Sequence, residues 1–246
     1  MPPEIVAGIA AAMLLAAFVK GVTGLGFSTS ALPMLVLIVD IRGALPLLII
    51  PSLASNAMVM AQAGHLIEMG RRFLWLYAAA LVGVAIGLGI LAGIDQRVAG
   101  GVLGVVLLAY AGFAALRPSL RLPARLERPL GPPVGLLTGI VNGVTGSQVM
   151  PILPYLMALG LEPSRFVQAI NISFTLSSIA MALGLSRLGL MTGENALLSL
   201  ICLVPVFAGV RLGAAVRARL GPDRFRLAVL ALLGLSGVVL IGRGLI

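Results

Sequence analysis

The 246-residue sequence has few charged residues: Asp, Glu, Lys and Arg together make up 10% of it. A soluble domain carries about 25% charged residues, so this composition excludes a typical water-soluble protein. The mean hydropathy of +1.13 and the 60% hydrophobic content indicate that a lipid bilayer surrounds most of the chain. Continuous Leu, Ala, Val and Gly runs argue against a transmembrane β-barrel, whose strands alternate apolar and polar residues. The sequence therefore predicts an all-α integral membrane protein.

Cysteine and histidine each occur once, as Cys202 and His65. A single cysteine cannot form a disulfide within the chain, and one cysteine with one histidine cannot supply a zinc site. His65 lies beside Glu68, Arg71 and Arg72, which favours a solvated loop over a proton relay. The sequence has no GxxxxGK[ST] loop and therefore no ATPase motif. We expect neither a metal nor a cofactor.

Positive charge prevails, since 17 basic residues against 8 acidic ones give a formal net charge of +9. In a soluble domain this excess would suggest a nucleic-acid partner. Here the arginines lie in short loops between apolar segments, which is typical of the positive-inside rule for membrane proteins. We therefore expect the bilayer, and no nucleic acid, as the partner of this chain.

Two stretches, Lys20-GVTGLGFSTSALP-Met34 and Asn142-GVTGSQVMPILP-Tyr155, interrupt an apolar run with the same tetrapeptide and continue to a proline. The two tetrapeptides lie 122 residues apart, and Asp40 and Glu162 have the same separation. This ordered similarity is typical of a duplicated transporter half. It predicts a first transmembrane repeat at 1–116, a cytoplasmic Pro/Arg linker at 117–133 and a second repeat at 134–246.

Each repeat is predicted to contain three long spans and one pair of short helices. A span needs about twenty residues, and segments of that size are present in both repeats. The apolar arms on either side of each Gly-Val-Thr-Gly are shorter, at about fifteen residues or fewer by the same measure. Such a glycine-broken pair can be a re-entrant hairpin or two short helices that cross the membrane.

The arginines distinguish two topologies. If each repeat crosses the membrane an odd number of times, the repeats are inverted and the loop arginines divide eleven to four. If each break lies in one broken span, the repeats are parallel and the division is eight to seven. The positive-inside rule favours the uneven division and thus two inverted repeats. The arginine-rich side then holds Arg71, Arg72, Arg117, Arg121, Arg125, Arg128, Arg165, Arg217, Arg219, Arg224 and Arg226, and the other side holds Arg42, Arg97, Arg187 and Arg243.

The Gly-Val-Thr-Gly breaks are the candidate binding site for an anion. Backbone groups that leave a helix at membrane depth need other partners, and a restarting helix directs its N–H groups and positive dipole end into the gap. In inverted repeats two such breaks are expected to meet near the bilayer midplane. The alternative is that the glycines only permit close helix packing.

Polar residues at and after the breaks are candidate ligands. Lys20, the only lysine, supplies a positive charge if it lies at membrane depth, or snorkels to the headgroups if it lies at a segment end. Asn142 has the equivalent place before the second break. Hydroxyls and amides can donate to an oxyanion, although in membrane helices they also bond neighbouring helices. The predicted substrate-binding residues are Lys20, Gly21, Thr23, Gly24, Gly26, Ser28, Thr29, Asn56, Asn142, Gly143, Thr145, Gly146, Ser147, Gln148 and Asn171.

The stretch KGVTGLGFSTSALPML, its echo NGVTGSQVMPILPYL, the duplication and the chain length together resemble the TauE/SafE family of membrane anion exporters. The resemblance covers essentially the whole chain. It implies a multi-pass secondary transporter of the bacterial inner membrane that exports sulfite or a small organosulfonate, with protons as a coupling ion. The second motif departs from the expected glycine-rich pattern, since it reads GSQVMP.

Other functional classes are left open by the sequence. A passive anion channel and a non-transporting membrane assembly subunit fit the same composition. An intramembrane enzyme is disfavoured because a nucleophile with its base, or paired carboxylates, must share one depth, whereas all eight acidic residues lie at segment ends or in loops. We therefore expect a transporter of a small anion by alternating access.

Overall fold

The structure, a computed structural model, describes residues 2–23, 27–116, 120–217 and 222–245, and these residues form helices and connections with no strand. The prediction of an all-α protein is confirmed. The helices are α1 (Pro3–Thr23), α2 (Phe27–Ala63), α3 (Leu66–Arg72), α4 (Leu74–Gly93), α5 (Gln96–Leu116), α6 (Ala124–Thr145), α7 (Ile152–Ala158), α8 (Pro163–Arg187), α9 (Gly193–Ile201), α10 (Leu203–Arg217) and α11 (Pro222–Leu245).

Six helical segments within the described residues are long and apolar enough to cross a bilayer. Each has at least 18 residues, which is close to the about 20 residues that a span requires at 1.5 Å per residue. A shorter apolar helix, Leu233–Gly244, belongs to α11. The six segments are Pro3–Val22, Phe27–Ala61, Leu74–Gly93, Gln96–Leu116, Pro163–Arg187 and Gly193–Gly213.

The helices before the two breaks are longer than the short arms expected from the sequence. α1 has 21 residues and α6 has 22. α6 is long because the predicted linker is helical from Ala124 onwards, although Pro129, Pro132 and Pro133 lie within it. Proline removes a backbone donor, but these prolines lie in the solvent-exposed or half-exposed beginning of α6, where water can satisfy the freed carbonyls.

α2 contains a sharp break at Asp40, whose backbone has φ 63° and ψ 179°. This conformation is nearly restricted to glycine, so the surrounding structure must hold it. The Asp40 carboxylate accepts a hydrogen bond of 2.9 Å from the Gly43 N–H and thereby caps the following part of the helix. The break divides α2 into two helical parts.

The chain divides into two compact units, and each is assembled from separate stretches of sequence. Unit 1 comprises Met1–Pro51, Asp95–Leu116 and Leu190–Ile246. Unit 2 comprises Ser52–Ile94 and Arg117–Gly189. The sequential repeats 1–116 and 134–246 describe duplication rather than compactness, and they stay a prediction.

Close contacts at glycines hold the helix pairs of unit 1 together. A Cβ atom at Gly209 of α10 would lie 2.5 Å from the Leu14 carbonyl oxygen of α1, and one at Gly213 would lie 2.9 Å from Gly21 Cα. Since the contacted residues of α1 advance in the same direction as the glycines of α10, α1 and α10 are parallel. α5 and α11 are antiparallel, because Gly104 meets Gly237 whereas Gly101 meets Gly244.

In unit 2, α4 packs along α6 through glycines of both helices. A Cβ at Gly83 would lie 2.9 Å from Gly139 Cα, and one at Gly87 would lie 2.8 Å from Gly143 Cα, so this pair is also parallel. α8 joins the pair through the Tyr77 hydroxyl, which donates a hydrogen bond of 3.0 Å to the Ala169 carbonyl. Small residues allow helix backbones to approach this closely in membranes.

Candidate functional site

The second Gly-Val-Thr-Gly ends α6 in unit 2. Gly146 has φ 76°, a left-handed conformation that glycine adopts at no steric cost, and its N–H bonds to the Asn142 carbonyl at 2.6 Å. The chain is non-helical from Gly146 through Pro151, with a cis peptide bond before Pro151. α7 then begins at Ile152. The backbone therefore leaves the helix inside an apolar part of the sequence.

Thr145 satisfies part of this backbone. Its hydroxyl donates to the Val141 carbonyl at 2.6 Å and accepts from the Ser147 N–H at 3.1 Å. A short hydroxyl side chain can replace backbone partners in this way. Because Thr145 is fully buried and engaged on both sides, its immediate role in the structure is to support the break.

Asn142 and Ser147 place unpaired polar atoms beside the break. Asn142 and Ser147 are each only 1% exposed. Within the described residues, the amide nitrogen and oxygen of Asn142 have no hydrogen-bond partner. The Ser147 hydroxyl has none among them either. A buried polar group without a partner costs about 1–3 kcal/mol. Such groups are rare and are expected where a ligand or another functional demand compensates them.

The break also contacts α8. The Gln148 amide nitrogen donates to the Ser178 hydroxyl at 3.2 Å, and both residues are buried. Asn171 is buried on the same helix, but its amide nitrogen is bound to the Val167 carbonyl of its own helix at 2.8 Å. Of these α8 residues, Ser178 is therefore the one that the structure places against the break.

Sequence reasoning missed Gln168 of α8. It is 0% exposed, and neither amide atom has a partner among the described residues. Gln168 precedes Asn171 by three residues and so lies on the same helical face. It is the only glutamine in the apolar run of α8, and this isolation is the signal that could have identified it.

The first break belongs to unit 1. Lys20 lies in the last turn of α1 and is 8% exposed, and Gly21 packs against Gly213 of α10. After the break, α2 begins at Phe27, so Ser28 and the buried Thr29 lie in its first turn. Gly24 and Gly26 lie outside the described residues, as does the side chain of Thr23.

The remaining predicted residues divide between the units. Asn56 lies in the part of α2 that belongs to unit 2 and is 5% exposed. Gly143 and the residues of the second break also belong to unit 2. Gly143 packs directly on α4, where a Cβ would lie 2.7 Å from Gly87 Cα. The structure thus brings Asn142, Ser147 and Gln148 onto one short segment, with Ser178 beside it.

The chemistry available at the second break is hydrogen bonding by uncharged groups. Amide and hydroxyl donors can bind the oxygens of an anion without a change of protonation. Over the described part of the chain, no group of three or more His, Cys, Asp or Glu side chains could hold a metal ion. In unit 1, Lys20 is a buried basic residue at the end of α1. Because a buried ionisable group within a membrane segment is costly, Lys20 is a functional candidate.

Comparison with known proteins identifies a family for the chain. A family model described as "Sulfite exporter TauE/SafE" matches residues 9–240. No curated protein and no solved structure matches the chain.

Proposed function

Since the chain belongs to the sulfite exporter TauE/SafE family, a family of membrane transporters and not of enzymes, we propose that it moves sulfite or a small organosulfonate across the bacterial inner membrane by alternating access. The protein is a multi-pass membrane protein. In this proposal the anion binds at the Gly-Val-Thr-Gly breaks, and the protein is a secondary transporter that uses protons as the coupling ion.

Matching helix contacts in the two units support a duplicated fold. Gly209 and Gly213 of α10 contact α1, and Gly83 and Gly87 of α4 contact α6. The contacted residues correspond one by one at a separation of 122 residues, which is the separation of the tetrapeptides. Gly209 meets Leu14, Ala17 and Phe18 where Gly83 meets Leu136, Gly139 and Ile140; Gly213 meets Phe18, Gly21 and Val22 where Gly87 meets Ile140, Gly143 and Val144.

The antiparallel pair in unit 1 supports the inverted arrangement. α5 ends the first predicted repeat and α11 ends the second, so they are equivalent elements. A Cβ at Gly104 would lie 2.6 Å from the Gly237 carbonyl, and one at Gly237 would lie 2.9 Å from the Gly104 carbonyl. Equivalent helices that run in opposite directions are expected when the repeats have opposite orientations in the membrane.

The observation that carries the binding proposal is the unpaired amide of Asn142. A donor held buried beside a helix break is preorganised for an oxyanion, because binding then pairs a group that the protein leaves unpaired. Ser147 and Gln148 add further donors on the same segment. Hydrogen bonds to a charged partner contribute about 1.5–3 kcal/mol each. Lys20 is proposed to add positive charge at the first break.

Ligand-dependent thermal stabilisation of the detergent-purified protein tests this proposal. A ligand that binds the folded state raises the melting temperature by mass action. We expect sulfite or sulfoacetate to stabilise the protein selectively over acetate and lactate. A shift with carboxylates alone would contradict the proposed substrate class.

Variants separate binding from folding. Asn142→Leu removes a buried amide that has no partner, so we expect an unchanged or raised melting temperature without ligand and anion binding weakened about tenfold or more. Lys20→Ala is expected to weaken binding similarly, whereas Arg121→Ala, which changes the charge of an exposed loop residue, is the control. Equal effects of Lys20→Ala and Arg121→Ala would refute the role of Lys20.

The uptake of labelled sulfite into proteoliposomes tests transport itself. Saturable flux that accumulates sulfite against its gradient when a pH gradient is imposed is the expected result. Flux that does not saturate would indicate a channel, and the absence of flux with intact ligand binding would indicate a non-transporting subunit.

A further inference from the structure

A basic cavity lies at the beginning of α4 and α6 in unit 2, away from the second break. Its volume is about 780 Å³, within the range of about 300–1,000 Å³ that is typical of ligand pockets. Arg71, Arg72, Arg125 and Arg128 line it together with Trp75. The proposed export function makes no use of this cavity.

One of the four arginines is already neutralised. Arg72 binds Glu127 through two hydrogen bonds of 2.7 and 2.9 Å, and this partner raises the pKa of Arg72. The Tyr155 hydroxyl donates to the Glu127 main-chain carbonyl at 2.7 Å, which holds this part of α6 in place. Four arginines and one glutamate leave a formal charge of +3 on the cavity wall.

The other three arginines face the cavity without a carboxylate. In the portion of the chain that the structure describes, Arg71, Arg125 and Arg128 form no ion pair, and all three are exposed. Arginine presents a planar fork of donors that fits the oxygens of a phosphate. The cavity thus has the charge and the donors for an anionic ligand.

The position of the cavity favours a lipid over a soluble anion. It lies where the apolar span of α4 begins, and Trp75 is 74% exposed one residue inside that span. Tryptophan is enriched at membrane–water interfaces. Val82 follows Trp75 by seven residues, and Ile86 follows Val82 by four. On this helix Val82 is 57% exposed and Ile86 is 45% exposed. An apolar stripe therefore leads from the basic cavity down the outer surface of α4.

We propose that this cavity binds the phosphate headgroup of an anionic phospholipid, with Arg71, Arg125 and Arg128 on the phosphate and an acyl chain along Trp75, Val82 and Ile86. These arginines belong to the arginine-rich side, which the positive-inside rule assigns to the cytoplasm. Anionic lipids of that leaflet attract basic clusters next to a span, and basic pockets between helices bind such headgroups. The soluble alternative with the same chemistry is a free phosphate ester.

Native mass spectrometry of the full-length protein in neutral detergent, titrated with phosphatidylglycerol, tests the assignment. An arginine beside the bound headgroup contributes about fivefold to the affinity for anionic lipid, so Arg125→Gln/Arg128→Gln should weaken binding about 25-fold. Arg121→Gln/Arg187→Gln is the matched control, because it removes the same charge from exposed positions outside the cavity and should leave affinity unchanged. Trp75→Ala should weaken phosphatidylglycerol binding but leave glycerol phosphate binding unchanged.

Several results would overturn the proposal. They are an equal loss of affinity in both double variants, equal binding of phosphatidylcholine, and glycerol phosphate that binds as tightly as phosphatidylglycerol. A raised KM for sulfite of Arg125→Gln/Arg128→Gln in neutral-lipid vesicles, with an affinity for phosphatidylglycerol equal to that of the unmodified protein, would also overturn it and would identify the cavity as a vestibule for the transported anion. If the double variant does not fold, Arg128→Gln alone should still show about a fivefold loss.

Discussion

Alanine at Gly87 should disrupt a close contact between α4 and α6 in unit 2. Its Cβ would lie 2.8 Å from Gly143 Cα and 3.0 Å from Val144 N. Both atoms belong to the main chain of α6, so no side-chain rotation relieves the overlap. Carbon atoms pack at about 3.5–4.0 Å, and α4 must therefore move away from α6 by at least about 0.7 Å.

The cost of this displacement follows from packing energetics. Overpacking a well-packed site costs about 1–3 kcal/mol. A gap of about 0.5–1 Å also forfeits a quarter to a half of each dispersion contact along the pair. We expect a loss of about 2 kcal/mol for Gly87→Ala. For a protein of this length that loss corresponds to a melting temperature lowered by about 4–8 °C.

Thermal unfolding of purified variants, followed by near-ultraviolet circular dichroism, measures this effect. Gly89→Ala is the matched control on the same helix, because a Cβ there meets nothing within 4 Å. It should leave the melting temperature unchanged or slightly raised. Equal destabilisation by the two variants would refute the contact assigned to Gly87.

The same experiment in unit 1 tests the correspondence between the units. A Cβ at Gly213 would lie 2.9 Å from Gly21 Cα and 3.0 Å from Val22 N, nearly the values at Gly87. Gly213→Ala should therefore lower the melting temperature by a similar amount. If Gly213→Ala is silent while Gly87→Ala destabilises, the two contacts are not equivalent, and the support for duplication is lost.

Two further predictions concern hydrogen bonds of unit 2. Tyr77→Phe removes the bond to the Ala169 carbonyl and should lower stability by about 1 kcal/mol, or about 2–4 °C in melting temperature; an unchanged value would show that this bond contributes nothing. A double-mutant cycle on Arg72 and Glu127, whose side chains are 37% and 19% exposed, should give a coupling of about 1 kcal/mol or less. A coupling above about 3 kcal/mol would mean that the pair behaves as a buried one.

Local sequence features anticipated part of the candidate site. The tetrapeptide at Gly143 identified a place where a helix ends, because a glycine followed by polar residues and a proline supplies a left-handed cap and stops propagation. Asn142 and Ser147 were found for the same reason, as neighbours of the break in sequence. Gln168 was not, because it lies in α8, far from the break in sequence.

The sequence did not reveal which glycines form the helix contacts. Gly87 and Gly89 are two residues apart in the same apolar run, yet only Gly87 is buried against another helix. Likewise, nothing local to Asp40 requires the left-handed backbone that it adopts in α2. Both features depend on residues far away in the chain.

The sequence by itself determined that this is a helical membrane protein, because transfer into lipid is roughly additive over residues. Tertiary structure alone decided that α1 packs on α10 and α4 on α6, and that each compact unit combines distant stretches of chain. The physical reason is that lipid is as apolar as a leucine side chain, so hydrophobicity does not select helix partners. Close packing at small residues selects them, and it depends on the shapes of both surfaces at once.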